Sequence, residues 1–289
     1  MATLIPTNRK ETATADNVDF GKVAFPVGFS FEGNTAIETL PPLTKENLSQ
    51  STSWDRLFWG CTKLKSITLP DKEGITRLVR VFENCTGLER AVLPSNLDKC
   101  TDITRLFAGC VNLKTAVIPN LPVVQGCYSV VYDCKSPTTL TVGDINPGRK
   151  VNISWFCYNC VSVTKAQFGD LGSVTIGNGD YTFDMKNCTD FSIKKLPVCN
   201  IPAMTGFSKM TKLTPQSYAN IFAALPYNTT SEELNIHLNS TSLNAAKATT
   251  GKYTATDVYD IGTQKELSKS LTINEWITIA TNKGWIINT

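Results

Sequence analysis

One short phrase built around a cysteine recurs six times along the chain, and this recurrence limits the possible folds more than any other feature. In the first three copies the phrase reads LFWGCTKLKSITLP, VFENCTGLERAVLP and LFAGCVNLKTAVIP. Spacings of 24, 25, 24, 26 and 28 residues between successive cysteines indicate a solenoid of stacked units rather than a globular enzyme. The six copies occupy residues 57–70, 81–94, 106–119, 130–142, 156–168 and 184–197, around the anchor cysteines Cys61, Cys85, Cys110, Cys134, Cys160 and Cys188.

Each position of the phrase has a physical reason. In the first copy, Leu64 and Leu69 follow the cysteine by three and eight residues, with polar residues between them. This alternation predicts a short strand with one face in the core. Pro70 ends the strand because proline has no backbone donor. Phe58 supplies the opposite wall of the core, Gly60 suits a turn, and the cysteine is interpreted as a small buried hydrophobe.

The repeat becomes irregular in its later copies and at its ends. Pro137 replaces the first leucine of the fourth copy, and Lys194 occupies an inward position of the sixth, so distortion is expected there. Asn34 and Met210 stand where further anchors are expected, as in the degenerate end units that a repeat array needs. The segment IGNGDY, 176–181, is predicted to form a hairpin-type turn.

These copies resemble the BspA-like, or Treponema-type, leucine-rich repeat, in which an A-F-x-x-C turn joins an L-x-x-I-x-L-P strand. The resemblance covers about residues 29–213. Members of that family are mostly surface, adhesion or binding proteins. The resemblance therefore implies recognition rather than catalysis.

The predicted fold is an α/β solenoid, a leucine-rich repeat stack of short parallel strands with turn or short-helix backs and a small C-terminal α/β cap. The predicted parts are an N-terminal arm at 1–28, the repeat domain at 29–213 and a capping module at 214–289. The polar arm either packs on a neighbouring subunit or larger assembly, which makes the protein oligomeric, or covers the open edge of the first repeat.

The capping module carries recognisable helix signals. Thr214 and Pro215 predict a helix start, and Thr272 with Glu275 forms a capping-box pattern. Gly284 predicts the end of that second helix. The segment TINEWITIATNKGWII looks like the terminal module that often follows such repeats in gut-bacterial and phage proteins.

Composition and charge exclude several functions. The net charge is only +3, without a basic run, so the electrostatic footprint of nucleic-acid binding is missing. No apolar stretch approaches the roughly 18 residues of a membrane span. CYNC at Cys157 and Cys160 stands alone as a C-x-x-C, and His237 is the single histidine. We therefore predict no catalytic residues, no metal and no cofactor.

Ten cysteines raise the question of redox state. Anchors one unit apart are expected to form a ladder that is not oriented for disulfides. The N-terminus contains no signal-peptide pattern. We therefore expect reduced thiols, synthesis in a host cytoplasm and a virion location, with a bacterial cell surface as the alternative.

Two surfaces are candidates for binding. Two residues before the anchors, Trp59, Tyr132 and Tyr158 form an aromatic column, which either binds a partner or only shields each unit. The outward strand face is polar and mildly basic, and it either binds or is merely solvated. Its candidate residues are Lys65, Arg90, Lys114 and Lys165.

The leading hypothesis is a non-enzymatic structural and recognition protein of a bacteriophage virion, such as a fibre, decoration or tail-associated subunit. Its partners would be other virion proteins, or a host surface protein or glycan. The alternative is a bacterial surface repeat protein that acts in adhesion or ligand binding.

Overall fold

The structure is a computed structural model, and it describes residues 20–289 except 22, 146–147, 176–181, 200, 202–205, 258, 261 and 264. These residues form a parallel-strand solenoid followed by a small α/β unit, which confirms the predicted fold class. Most of the predicted arm and the predicted hairpin at 176–181 lie outside the described residues.

Short parallel strands stack along one face of the solenoid. Equivalent residues of successive units pair directly, for example Ile67 with Ala91 and Leu140 with Ala166. The described strands of the solenoid are β1 (Ser66–Thr68), β2 (Arg90–Val92), β3 (Thr115–Ile118), β4 (Thr139–Val142), β5 (Val151–Asn152), β6 (Lys165–Asp170), β7 (Val174–Thr175) and β8 (Asp190–Lys195). They form a β1-β2 pair, a β3-β4-β6-β8 sheet and a separate β5-β7 pair.

A stack of phenylalanine rings fills the interior behind the first strands. Phe31, Phe58, Phe82 and Phe107 lie three residues before successive anchor positions. Their centroids are 5.2, 5.7 and 5.4 Å apart, and neighbouring planes are within 6° of parallel. Phe31 precedes Asn34 by three residues, so the stack extends the repeat to the degenerate first unit.

The backs of the units are chains of tight turns rather than short helices. In the first unit, Leu57 N donates to Trp54 O and Cys61 N donates to Phe58 O. The third residues of these turns, Arg56 and Gly60, have φ values of 57° and 70°. A positive φ at that position defines a type II turn.

The sixth copy differs from its predicted register. Asp190, two residues after Cys188, pairs with Lys165, which is five residues after Cys160. The strand is therefore shifted by three residues relative to the cysteine, after the longest interval in the array. Because of this shift Lys194, predicted to point inward, is exposed, and Ile193 is buried instead.

The C-terminal unit contains three helices and four strands within the described residues. Thr214 caps α1 with Pro215 at its first position, and Thr272 and Glu275 form the capping box of α3, as predicted. The sequence did not predict the second helix or the central hairpin. The elements are α1 (Pro215–Ala224), β9 (Leu234–His237), α2 (Ser240–Lys247), β10 (Tyr253–Asp257), β11 (Leu267–Leu271), α3 (Ile273–Asn282) and β12 (Trp285–Asn288).

Helix α1 covers the last strand of the stack. Phe191 N donates to Ser217 Oγ at 2.8 Å, and Asn220 Nδ2 donates to Phe191 O at 2.9 Å. Leu196 N donates to Ala224 O at 2.9 Å. Side chains and the end of α1 thus satisfy backbone groups that a free sheet edge would expose.

Candidate interaction surfaces

Two columns of side chains run along the turns of successive units, and we call them together the turn edge. The first column, two residues before each anchor, contains the predicted Trp59, Tyr132 and Tyr158, which are all half-buried. The second column lies five residues before each anchor. Its members are Arg56, Arg80, Arg105, Ser129 and Trp155, and their φ values lie between 54° and 58°.

A buried carboxylate organises the basic half of the turn edge. Glu83 is only 4% exposed. Its Oε1 accepts from Arg105 Nε at 2.6 Å and its Oε2 accepts from Trp59 Nε1 at 3.2 Å. Arg80 Nε lies 3.5 Å from the same carboxylate, and the Arg56 guanidinium lies 5.8 Å from the Trp59 ring centroid. These contacts hold the long arginine side chains in defined positions.

The aromatic half of the turn edge lies in the units that come next along the chain. The rings of Tyr132 and Tyr158 stack at 5.1 Å, and the Arg105 guanidinium lies 5.9 Å from the Tyr132 centroid on the side of the preceding unit. Trp155 and Tyr128 are 44% and 45% exposed beside them. The repeat pattern did not point to either residue, because neither lies two residues before an anchor cysteine.

The backbone at the second column is strained. A positive φ costs roughly 1–2 kcal/mol for a residue with a Cβ, and glycine avoids this cost. Asparagine and aspartate tolerate this region, whereas arginine and tryptophan have no local hydrogen bond that compensates. Arg56, Arg80, Arg105 and Trp155 therefore occupy positions whose backbone conformation favours glycine. Strain of this kind is typical of positions that serve a function.

The predicted basic residues of the strand face do not form one continuous patch. Lys65, Arg90, Lys114 and Lys165 are all exposed. Lys165 Nζ, however, lies 3.1 Å from Asp190 Oδ2. Arg90 and Lys114 lie on the two sides of a break between β2 and β3.

The anchor thiols point into the stack. Cys85, Cys110 and Cys134 donate to the carbonyls of Phe58, Phe82 and Phe107 at 2.9–3.0 Å. Cys61 and Cys160 donate in the same way to the carbonyls of Phe31 and Val131. Cys188, whose strand is shifted, donates instead to the carbonyl of Asp190. All six are buried and none is in a disulfide.

The cysteine environment opposes thiolate chemistry. Burial raises the pKa of Cys61 and of Cys134 to about 12. Burial also raises the pKa of Cys157 and of Cys160 well above the usual value, and their thiols bond to different carbonyls. A C-x-x-C redox pair requires a lowered thiol pKa, so these two residues lack its signature. Among the described residues, no cluster of three metal-ligating side chains occurs.

Comparison with protein families gives one match. Residues 30–137 match the BspA type leucine rich repeat region in six copies. This match supports the BspA-like leucine-rich repeat family for residues 30–137. The leucine-rich repeat fold is typically non-enzymatic, and such repeats suggest a role in protein interaction or adhesion. Searches of curated proteins and of solved structures give no match. None of the helices in the described ranges is long and apolar enough to cross a bilayer.

Proposed function

We propose that this protein is a non-enzymatic recognition protein whose turn edge binds a protein partner. The observation that carries the proposal is the turn edge, where arginines at positive-φ positions of three consecutive units lie next to the aromatic side chains Trp59 and Tyr132. Arginine, tyrosine and tryptophan dominate the binding energy of protein interfaces. Many of these side chains are already fixed by Glu83 or by stacking, so ordering them on binding costs little conformational entropy.

The ring contacts favour a protein over a stacked sugar as the partner. Arg105 lies over one face of Tyr132, and Tyr158 covers the other. At Tyr132, only the ring edge and the hydroxyl group therefore remain for a partner. Edges and hydroxyls suit protein contacts, whereas a sugar that stacks on an aromatic ring needs a free face.

A binding comparison with two matched triple variants tests this function. The first replaces Tyr132, Trp155 and Tyr158 by alanine, and the second replaces the strand-face and C-terminal residues Lys65, Lys165 and Ile286 by alanine. Each purified full-length chain is immobilised and then incubated with surface proteins extracted from candidate host cells. The proteins that bind are quantified by mass spectrometry.

The proposal expects at least one protein to bind the unchanged chain and the second variant, and to bind the first variant about tenfold more weakly. Proteins that bind all three chains equally would contradict it. A glycan array is run in parallel. If the unchanged chain binds a sugar and the first variant does not, the partner of the turn edge is a glycan rather than a protein.

At a finer level, we propose that the protein is a bacteriophage virion component, such as a fibre, decoration or tail-associated subunit. The support is the thiol chemistry, because ten cysteines without a disulfide suit folding in a reducing cytoplasm better than export. Mass spectrometry of purified particles should find the protein in multiple copies. Its absence from particles and presence on intact bacteria would favour the bacterial adhesion alternative.

A further inference from the structure

Strand β11 forms the outer edge of the hairpin in the C-terminal unit. Its five residues, Leu267–Leu271, pair antiparallel with Tyr253–Asp257 of β10. Within the described residues, β11 pairs with no second strand. Because the backbone groups of a strand point alternately to its two sides, the side away from β10 carries donors and acceptors without a strand partner.

The edge lacks the features that usually prevent two strand edges from pairing. Natural edges are protected by very short strands, proline, bulges or charged side chains, and lysine is the commonest of these charges. Strand β11 pairs with β10 in an unbroken register over five residues and contains no proline. Lys269 is its one charged residue, so the position of this side chain decides whether the edge is protected.

The charge of Lys269 is directed away from the open edge. Its Nζ lies 3.4 Å from Asp257 Oδ2 on β10 and contacts Asp260 Oδ2, and its side chain is only 24% exposed. Asp257 also pairs with Lys283. The two lysines and the two aspartates together carry no net charge. Lys269 therefore does not repel a strand that approaches the edge.

The side chains of β11 give the edge one apolar face and one hydroxyl face. Leu267, Lys269 and Leu271 share a face because side chains alternate along a strand. Leu271 packs against the hydrophobic core, whereas Leu267 is 46% exposed. Ser268 and Ser270 are exposed on the opposite face. A second strand at this edge would cover Leu267 without burying an unpaired charge.

The residues of β11 read the same in both directions, Leu-Ser-Lys-Ser-Leu. When two copies pair antiparallel about Lys269, Leu267 lies opposite Leu271 of the second copy, and Ser268 lies opposite Ser270. This arrangement has twofold symmetry, which requires a surface that complements itself. Leucine then packs against leucine, and serine hydroxyls meet on the other face. The two Lys269 side chains are also opposite each other, but each amine is bound to carboxylates of its own chain.

We propose that two copies of this chain associate through β11, which pairs antiparallel about Lys269 and joins the two hairpins into one four-stranded sheet. The contact between two five-residue strands is small. We therefore expect a weak dimer with a dissociation constant of roughly 10 μM. The interface is separate from the turn edge. A dimer carries two turn edges, which strengthens binding to a partner that is itself repeated.

Sedimentation velocity of the purified full chain measures the association. The concentration series runs from about 1 to 100 μM, one decade on either side of the expected constant. The chain should sediment as a monomer at the lowest concentration and mainly as a dimer at the highest. A chain that remains monomeric throughout the series would overturn the proposal.

A pair of acidic substitutions locates the interface. Ser268→Glu with Ser270→Glu places like charges opposite each other across the twofold axis, so association should weaken at least about tenfold. Ser66→Glu with Thr68→Glu makes the same charge change at two exposed positions of β1 and should leave association unchanged. If the β11 variant forms the dimer as strongly as the unchanged chain, the interface lies elsewhere and the proposal is wrong.

A pair of opposite charges tests the register of the two strands. In Ser268→Lys with Ser270→Glu, antiparallel pairing about Lys269 brings each introduced charge opposite one of the other sign. Association should therefore recover to about the strength of the unchanged chain. Association as weak as that of the double glutamate variant would contradict the antiparallel pairing. Thermal midpoints equal to that of the unchanged chain show that the variants remain folded.

Discussion

Lys283→Met is expected to lower the free energy of unfolding by about 3–5 kcal/mol, because it removes one partner of a buried ion pair. Lys283 and Asp257 are both 0% exposed in their side chains, and Lys283 Nζ lies 2.5 Å from Asp257 Oδ1. Burial lowers the pKa of Lys283, and the bond to Asp257 opposes that shift. Urea unfolding monitored by circular dichroism measures the loss.

The lysine also completes the end of another helix. Its Nζ donates to Ala223 O at 3.3 Å and to Leu225 O at 2.8 Å, at the C-terminus of α1. Helix ends leave such carbonyls without a partner inside the helix. Methionine fills a similar volume but leaves both carbonyls and Asp257 without this donor.

A surface pair provides the control for this prediction. Asp190→Asn removes the exposed pair with Lys165 and should cost less than about 1 kcal/mol. The double variant Lys283→Met with Asp257→Leu should recover part of the loss, because it also removes the buried carboxylate that Lys283 neutralised. A loss below about 1 kcal/mol for Lys283→Met alone would show that the ion pair does not hold the C-terminal unit together.

Phe82→Ala is expected to cost about 3–5 kcal/mol, as for other buried aromatic truncations. Phe82 is 0% exposed and lies between Phe58 and Phe107 in the ring stack. A solenoid is stabilised by contacts between neighbouring units, so a cavity here weakens the contacts on both sides. Chemical unfolding of the purified chain measures the change.

Phe31→Ala is the matched comparison for Phe82→Ala. Phe31 is the first ring of the stack and is only partly buried. It stacks in parallel on Phe58 alone, and its contacts with Phe20, Phe25 and Phe29 are tilted or edge-on. It should therefore cost less than Phe82→Ala. Equal costs for the two variants would mean that the ring stack does not couple the units.

The sequence predicted most strand positions well because each copy contains its own anchor and alternating residues, and four of the six copies end in a proline. Ile67 and Leu140 pair with the equivalent residues of their neighbours as the period requires. The prediction failed at Lys194 because a 28-residue interval shifts the strand relative to Cys188. The spacing between two anchor cysteines gives the number of inserted residues but not their position within the unit.

The surfaces were harder to predict than the stack. Trp155 has no aromatic equivalent in earlier units, so the repeat pattern did not single it out. The break between β2 and β3 falls between two of the most regular copies, so the repeat pattern did not predict it. Nothing in the sequence singled out Lys283, which directly precedes the predicted helix end at Gly284, because its partner Asp257 is brought to it by tertiary packing.

Thiol labelling tests most directly whether the cysteine period marks the interior of a reduced stack. The purified chain is treated with iodoacetamide before and after unfolding in urea without a reductant, and each site is quantified by mass spectrometry. Nine cysteines are buried and Cys199 is half-buried, so labelling of the native chain should be confined to Cys199. All ten should react after unfolding. Rapid labelling of Cys85 or Cys110 in the native chain, or fewer than ten reactive thiols in the unfolded chain, would contradict this account.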